Sequence, residues 1–136
     1  TQFNVSSYTE CFVAENLLRK YVKEKAIALP EPLSARITQW KQKHKVTKEK
    51  ANIFFDIRTD HDDLFYCEMD NLAELATTKE DRTRSVSFTQ DAKEYKPIRD
   101  ALCHTSRLTK DAKAKLTSTF ANIKARIAQL LGDVTS

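Results

Sequence analysis

The sequence predicts an all-α fold, an antiparallel up-and-down bundle of four to five helices. Three features point there. One glycine (Gly132) and three prolines (Pro30, Pro32, Pro97) are too few for the tight turns of a sheet protein. Charged residues make up 31% of the chain, as amphipathic helices with wet outer faces require. Long stretches repeat their apolar residues every three or four positions. The 136 residues suit one domain, 1–136, with its own core. The first residue is not Met, so the chain reads as a segment that a longer protein could contain.

In the first helix, Thr9 serves as N-cap and Cys11 to Leu29 form the body. Val13, Ala14, Leu17, Leu18, Tyr21, Val22 and Ala28 make its apolar stripe. Pro30 and Pro32 interrupt it. A second helical region runs from Leu33 to about Arg58. Leu33, Ile37 and Trp40 start its stripe, and Ala51, Phe54 and Ile57 continue it; whether it breaks near Val46-Thr47 stays open. Asp60 caps a third helix from His61 to about Lys79, buried along Phe65, Met69, Leu72 and Ala76. Residues 79–91 are polar and aperiodic and read as a loop. A fourth helix covers about Ala92 to Arg107, with Pro97 suited to a first turn. Thr109 caps the fifth. Leu108, Ala112, Leu116, Phe120, Ile123, Ile127 and Leu130 give it the cleanest period in the chain, and Gly132 is placed to end it.

No run of about 18 apolar residues is present, so no transmembrane helix and no membrane partner are expected. No cationic start followed by an apolar stretch suggests a signal peptide. Three widely spaced cysteines (Cys11, Cys67, Cys103) cannot all pair, which fits a reducing, cytoplasmic setting. The formal net charge of +4 decides little, but its distribution is uneven. Residues 36–50 hold six basic side chains and one acid, Glu49. Residues 60–81 hold eight acids and one base, Lys79. Residues 99–131 hold seven bases and two acids. A basic surface attracts phosphate polymers by releasing their counterions. It can equally attract an acidic neighbouring helix or a second subunit.

One short segment carries chemistry: Arg99-Asp100-Ala101-Leu102-Cys103-His104. Asp100 and His104 are four apart and share a helix face, so the carboxylate could orient the imidazole and favour its protonated form. The guanidinium of Arg99 can hold a phosphate by two parallel hydrogen bonds. Near a helix start, backbone N–H groups would add to that pull. Arg107 and Lys110 follow and could guide an RNA backbone. Together these parts suit phosphodiester cleavage by the neighbouring 2′-hydroxyl, chemistry that needs neither metal nor cofactor. Positions i and i+5 point about 140° apart, so one copy makes a poor site. Two copies meeting across a symmetric dimer would supply both an acid and a base.

This pattern of Arg, a polar residue, three further residues and His resembles the motif of HEPN domains. These are helical bundles that commonly dimerise, many of them metal-independent endoribonucleases of toxin–antitoxin, antiphage and CRISPR systems. The resemblance implies catalytic roles for Arg99 and His104 and a supporting role for Asp100. It implies a homodimer with the motif at the interface, and an antitoxin or fused sensor domain as a further partner. The specific match covers six residues. Some family members serve only as binding or dimerisation modules, so a non-catalytic helical interaction module is the alternative.

Plainer readings of the same residues stay open. Arg99 could pair with Glu94 or Glu68, His104 could be a half-buried structural side chain, and Asp100 could simply favour a helix's first turn. The three Cys and three His lack metal-ligand spacing, so no metal site is expected. Cys103 and His104 are adjacent and do not face one another. His61, Asp62 and Asp63 read as a charged helix start. Tyr8, Tyr21, Trp40 and the phenylalanines read as core or core edge. Phe88, in the polar loop, is the exception that could touch a partner or a base.

Overall fold

A computed structural model describes residues 3–78 and 87–135. The protein is all-helical, with no strand among the described residues. Its helices are α1 (Asn4–Glu24), α2 (Glu31–Lys50), α3 (Met69–Ala76), α4 (Phe88–Cys103) and α5 (Lys110–Thr135), with a 3-10 turn at Asp63–Tyr66. The chain divides into two compact units. One holds α1, α3, α4 and α5; the other is residues 28–68, with α2 and the 3-10 turn.

In the first unit α1 packs on α5 and α3, and α4 packs on α3 and α5. Ala14, Leu18 and Val22 of α1, Leu72 and Ala73 of α3, Phe88 and Tyr95 of α4, and Leu116 and Ile123 of α5 are all buried. Within the longer helices these residues recur at helical spacing, so each turns one apolar stripe inward. α4 runs antiparallel to α5: Glu94 pairs with Lys115 at 3.1 Å, while Arg126 lies over the Phe88 ring. α1 and α5 begin at the same end. The Asn4 side chain donates to the Ser106 carbonyl at 2.9 Å and accepts from the Leu108 amide, and Glu10 bonds Lys113 and Thr117.

Several boundaries differ from the sequence reading. α1 starts at Asn4, and Thr9 lies inside it, its hydroxyl donating to the Val5 carbonyl. The Asn4 clamp fixes that first turn from outside the helix, a tertiary contact that periodicity does not register. α2 crosses Val46-Thr47 unbroken but stops at Lys50, with Pro32 accommodated in its first turn. Asp62, not Asp60, caps the next element: it accepts from the Leu64 amide at 3.4 Å and starts only a 3-10 turn. Part of the expected 79–91 loop, residues 79–86, lies outside the described residues. From Phe88 onward the segment is helix, because Ser87 caps α4 by accepting from the Gln90 amide at 3.1 Å. Thr109 accepts from the Ala112 amide at 3.1 Å, as expected of the α5 cap. Gly132 lies within α5 and does not end it.

With one glycine, the chain closes its helices on other residues. Ala26, Asn52 and Thr105 have positive φ (51°, 58° and 59°) just past α1, α2 and α4. Each time the next amide reaches back into the last turn: Ile27 to Val22, Ile53 to Lys48 and Ser106 to Ala101. Thr105 bears the greatest strain, since a β-branched side chain is least compatible with that backbone. Thr105→Gly is therefore expected to stabilise the protein by about 0.5–1 kcal/mol, read by urea unfolding.

Asp91 in the first turn of α4 is buried, and its Oδ2 has no hydrogen-bond partner among the described residues. Burial pushes its pKa up to about 6, against the pull of Arg126. The folded state thus holds the proton more tightly than the unfolded chain. Stability should fall as pH rises from about 4 to about 6 and then level off. Asp91→Asn removes the ionisation. Urea unfolding across that range should then lose this slope, with a gain on the order of 2 kcal/mol at neutral pH.

Candidate functional site

The Arg99–His104 segment forms the last turn of α4 and its cap. The helix ends at Cys103, and His104 is the C-cap residue, its amide bonded to the Asp100 carbonyl at 3.0 Å. This corrects the expectation of a nearby helix start. Ser87 caps the beginning of α4 well upstream, and Pro97 sits inside the helix. The motif therefore lies at the carbonyl end of the helix dipole. That end favours cations and does not itself attract phosphate.

The three motif side chains go to different surroundings. Arg99 is directed at Glu15 of α1, with Nε 3.6 Å from the carboxylate Oε2 and its side chain 35% exposed. That acid is not the Glu94 of the plainer reading, which pairs with Lys115. Asp100 is exposed and lines a groove of about 510 Å³ together with Asp70, Lys93, Lys96 and Pro97. Among the described residues no hydrogen bond joins its carboxylate to the His104 ring, contrary to the expected orienting contact. The helix ends here: His104 is its cap, its amide the last on the ladder and its side chain exposed, and the next residue is left-handed. His104 itself is exposed rather than half-buried. Arg107 and Lys110 are exposed just beyond it.

Behind Arg99 is a buried polar cluster that the sequence reading does not anticipate. The Tyr95 hydroxyl donates to Glu15 Oε2 at 2.6 Å, and Arg19 approaches the other carboxylate oxygen at 3.9 Å. Burial, reinforced by the Glu15 charge, keeps the Tyr95 phenol protonated. Burial likewise pushes the neighbouring Cys11 thiol up, so it is no thiolate nucleophile. A signal for this cluster exists: Glu15 falls in register with Cys11, Leu18 and Val22, a carboxylate on a core stripe. Such a group must find donors to be buried. Tyr95 and Arg99, one turn apart on α4, supply them.

Phe88 is the clearest correction. It is 2% exposed, its ring centroid 6.0 Å from that of Tyr21, and it belongs to the core. Conversely, Phe54, Phe55 and Ile57 are exposed, as are Tyr8 and Phe12. The described residues contain no group of three or more His, Cys, Asp or Glu able to hold a metal. No helix is long and apolar enough to cross a membrane among the described residues. Comparison with protein-family models, with curated proteins and with solved structures finds no match to this chain.

Proposed function

We propose that the protein is a metal-independent endoribonuclease of the HEPN kind, acting on RNA as a homodimer. The observation that carries this reading is the pair at the end of α4. His104 offers an exposed imidazole, and five residues earlier the Arg99 guanidinium is steered by Glu15. A guanidinium fixed from behind loses less freedom when it meets a phosphate. In the proposed step one imidazole takes the 2′-hydroxyl proton as that oxygen bonds to phosphorus. The bond to the 5′-oxygen breaks, and a protonated imidazole from the second copy delivers a proton to it. Arg99 stabilises the charge that builds on the phosphoryl oxygens. The products carry a 2′,3′-cyclic phosphate and a 5′-hydroxyl.

Arg107 and Lys110 extend the cationic rim and would guide the RNA backbone. Among the described residues no hydrogen bond joins Asp100 to the ring, so the reading rests on Arg99 and His104. In this account the domain is a toxin or antiphage effector of the cytoplasm, restrained by an antitoxin or a fused sensor domain. Its three cysteines are free thiols, as that setting allows. The test is growth of a bacterial host on induction. Wild-type protein is expected to arrest it and Arg99→Ala to leave it unaffected; equal growth with both would count against the reading.

A non-catalytic interaction module is the second reading. It is favoured by Val5, Tyr8 and Phe12, which form an exposed stripe at three- and four-residue spacing along α1. On this reading His104→Ala changes no activity.

A further inference from the structure

The second unit carries a surface that the ribonuclease reading does not use. Within it, α2 turns two contrasting faces. Lys41, His44 and Lys48, spaced by three and four, face the chain that folds back after the helix. Lys41 pairs with Asp63, His44 meets the Tyr66 ring edge-on, and Lys48 lies 3.9 Å from Asp56. Arg36, Lys43 and Lys50, spaced by seven, lie roughly 140° round the cylinder from them. All three are exposed, and neither Lys43 nor Lys50 has an acidic partner among the described residues. The stripe spans about 21 Å at 1.5 Å per residue. The one acid in this part of the helix, Glu49, lies off that line.

Just past the end of the stripe the chain turns at Asn52 and presents two aromatic rings. Phe54 is 87% exposed and Phe55 69%. Phe54 and Phe55 follow Lys50 by four and five residues, and rings so exposed are unusual, since large apolar side chains are normally buried. We propose that the outer face of α2 and the Phe54-Phe55 corner bind single-stranded nucleic acid, the cations taking phosphates and the rings taking unpaired bases. Stacking needs only a free ring face and accepts any base. A lipid surface fits less well. Asp56 stands between Phe55 and Ile57 with its side chain 79% exposed, so burying the corner in a bilayer would drag a carboxylate with it. Binding here is independent of whether His104 is catalytic.

The test is fluorescence anisotropy with a labelled 2′-O-methyl oligouridine roughly 12 nucleotides long, a probe that 2′-hydroxyl attack cannot cut. Wild-type protein is expected to bind it. The Phe54→Ala, Phe55→Ala double variant should bind at least about tenfold more weakly. Phe54→Trp keeps a stacking face and should bind like wild type. Lys43→Ala with Lys50→Ala should lower the slope of log affinity against log salt by about 1.4. Circular dichroism of each variant should match wild type, since the altered residues are exposed. The proposal is overturned if the wild type does not bind, if the ring variant binds unchanged, or if a duplex of equal length binds as tightly. It is also overturned if the protein sediments with phosphatidylcholine–phosphatidylserine vesicles while ignoring the oligonucleotide.

Discussion

Phe88→Ala is expected to destabilise the protein by about 3–5 kcal/mol, read by urea unfolding. The ring is enclosed beside Tyr21, with the Arg126 guanidinium 5.4 Å from its centroid. Truncation removes the buried apolar area and leaves a cavity in a helical core that can only partly close. The same change at Phe54 should cost less than about 0.5 kcal/mol, because that ring contributes little buried area to lose. The contrast is informative because the sequence suggests the reverse: Phe88 follows a polar run, while Phe54 continues an apolar helical stripe.

That inversion marks the boundary of what is legible in the sequence. The periodic stripes of α1, α3 and α5 can be read because burial of Leu18, Leu72 and Leu116 imposes a 3.6-residue repeat. The end of α2 cannot. Ala51, Phe54 and Ile57 keep the helical spacing, yet the helix stops at Lys50 and Asn52 turns left-handed. A single Asn closing a helix is a weak signal beside three apolar residues in phase. At α4, the Ser87 cap is hidden in a polar run, so periodicity places the start too late and the motif at the wrong pole of the dipole. The motif residues themselves are legible as a sequence pattern. Their environment is not, because Glu15, which holds Arg99, comes from α1, far away in the chain.

Arg99→Ala and His104→Ala are each expected to slow RNA cleavage by about 10²–10⁴-fold while the protein stays folded. His104 is exposed at a helix cap, so its loss should alter stability by less than about 0.5 kcal/mol. Arg99 differs, because its removal takes one cation from buried Glu15. Tyr95 still donates to that carboxylate, which limits the cost. Arg99→Lys keeps the charge but not the planar fork, and should recover little activity. Asp100→Ala makes a useful contrast. With no bond from Asp100 to the ring, it should slow cleavage far less than either.

The most direct measurement is cleavage of mixed cellular RNA, with EDTA present, by wild-type protein and by His104→Ala. Cutting by the wild type alone is expected, with fragments ending in 2′,3′-cyclic phosphate. Equal cutting by both proteins, or none by a folded wild-type dimer, would contradict the ribonuclease reading.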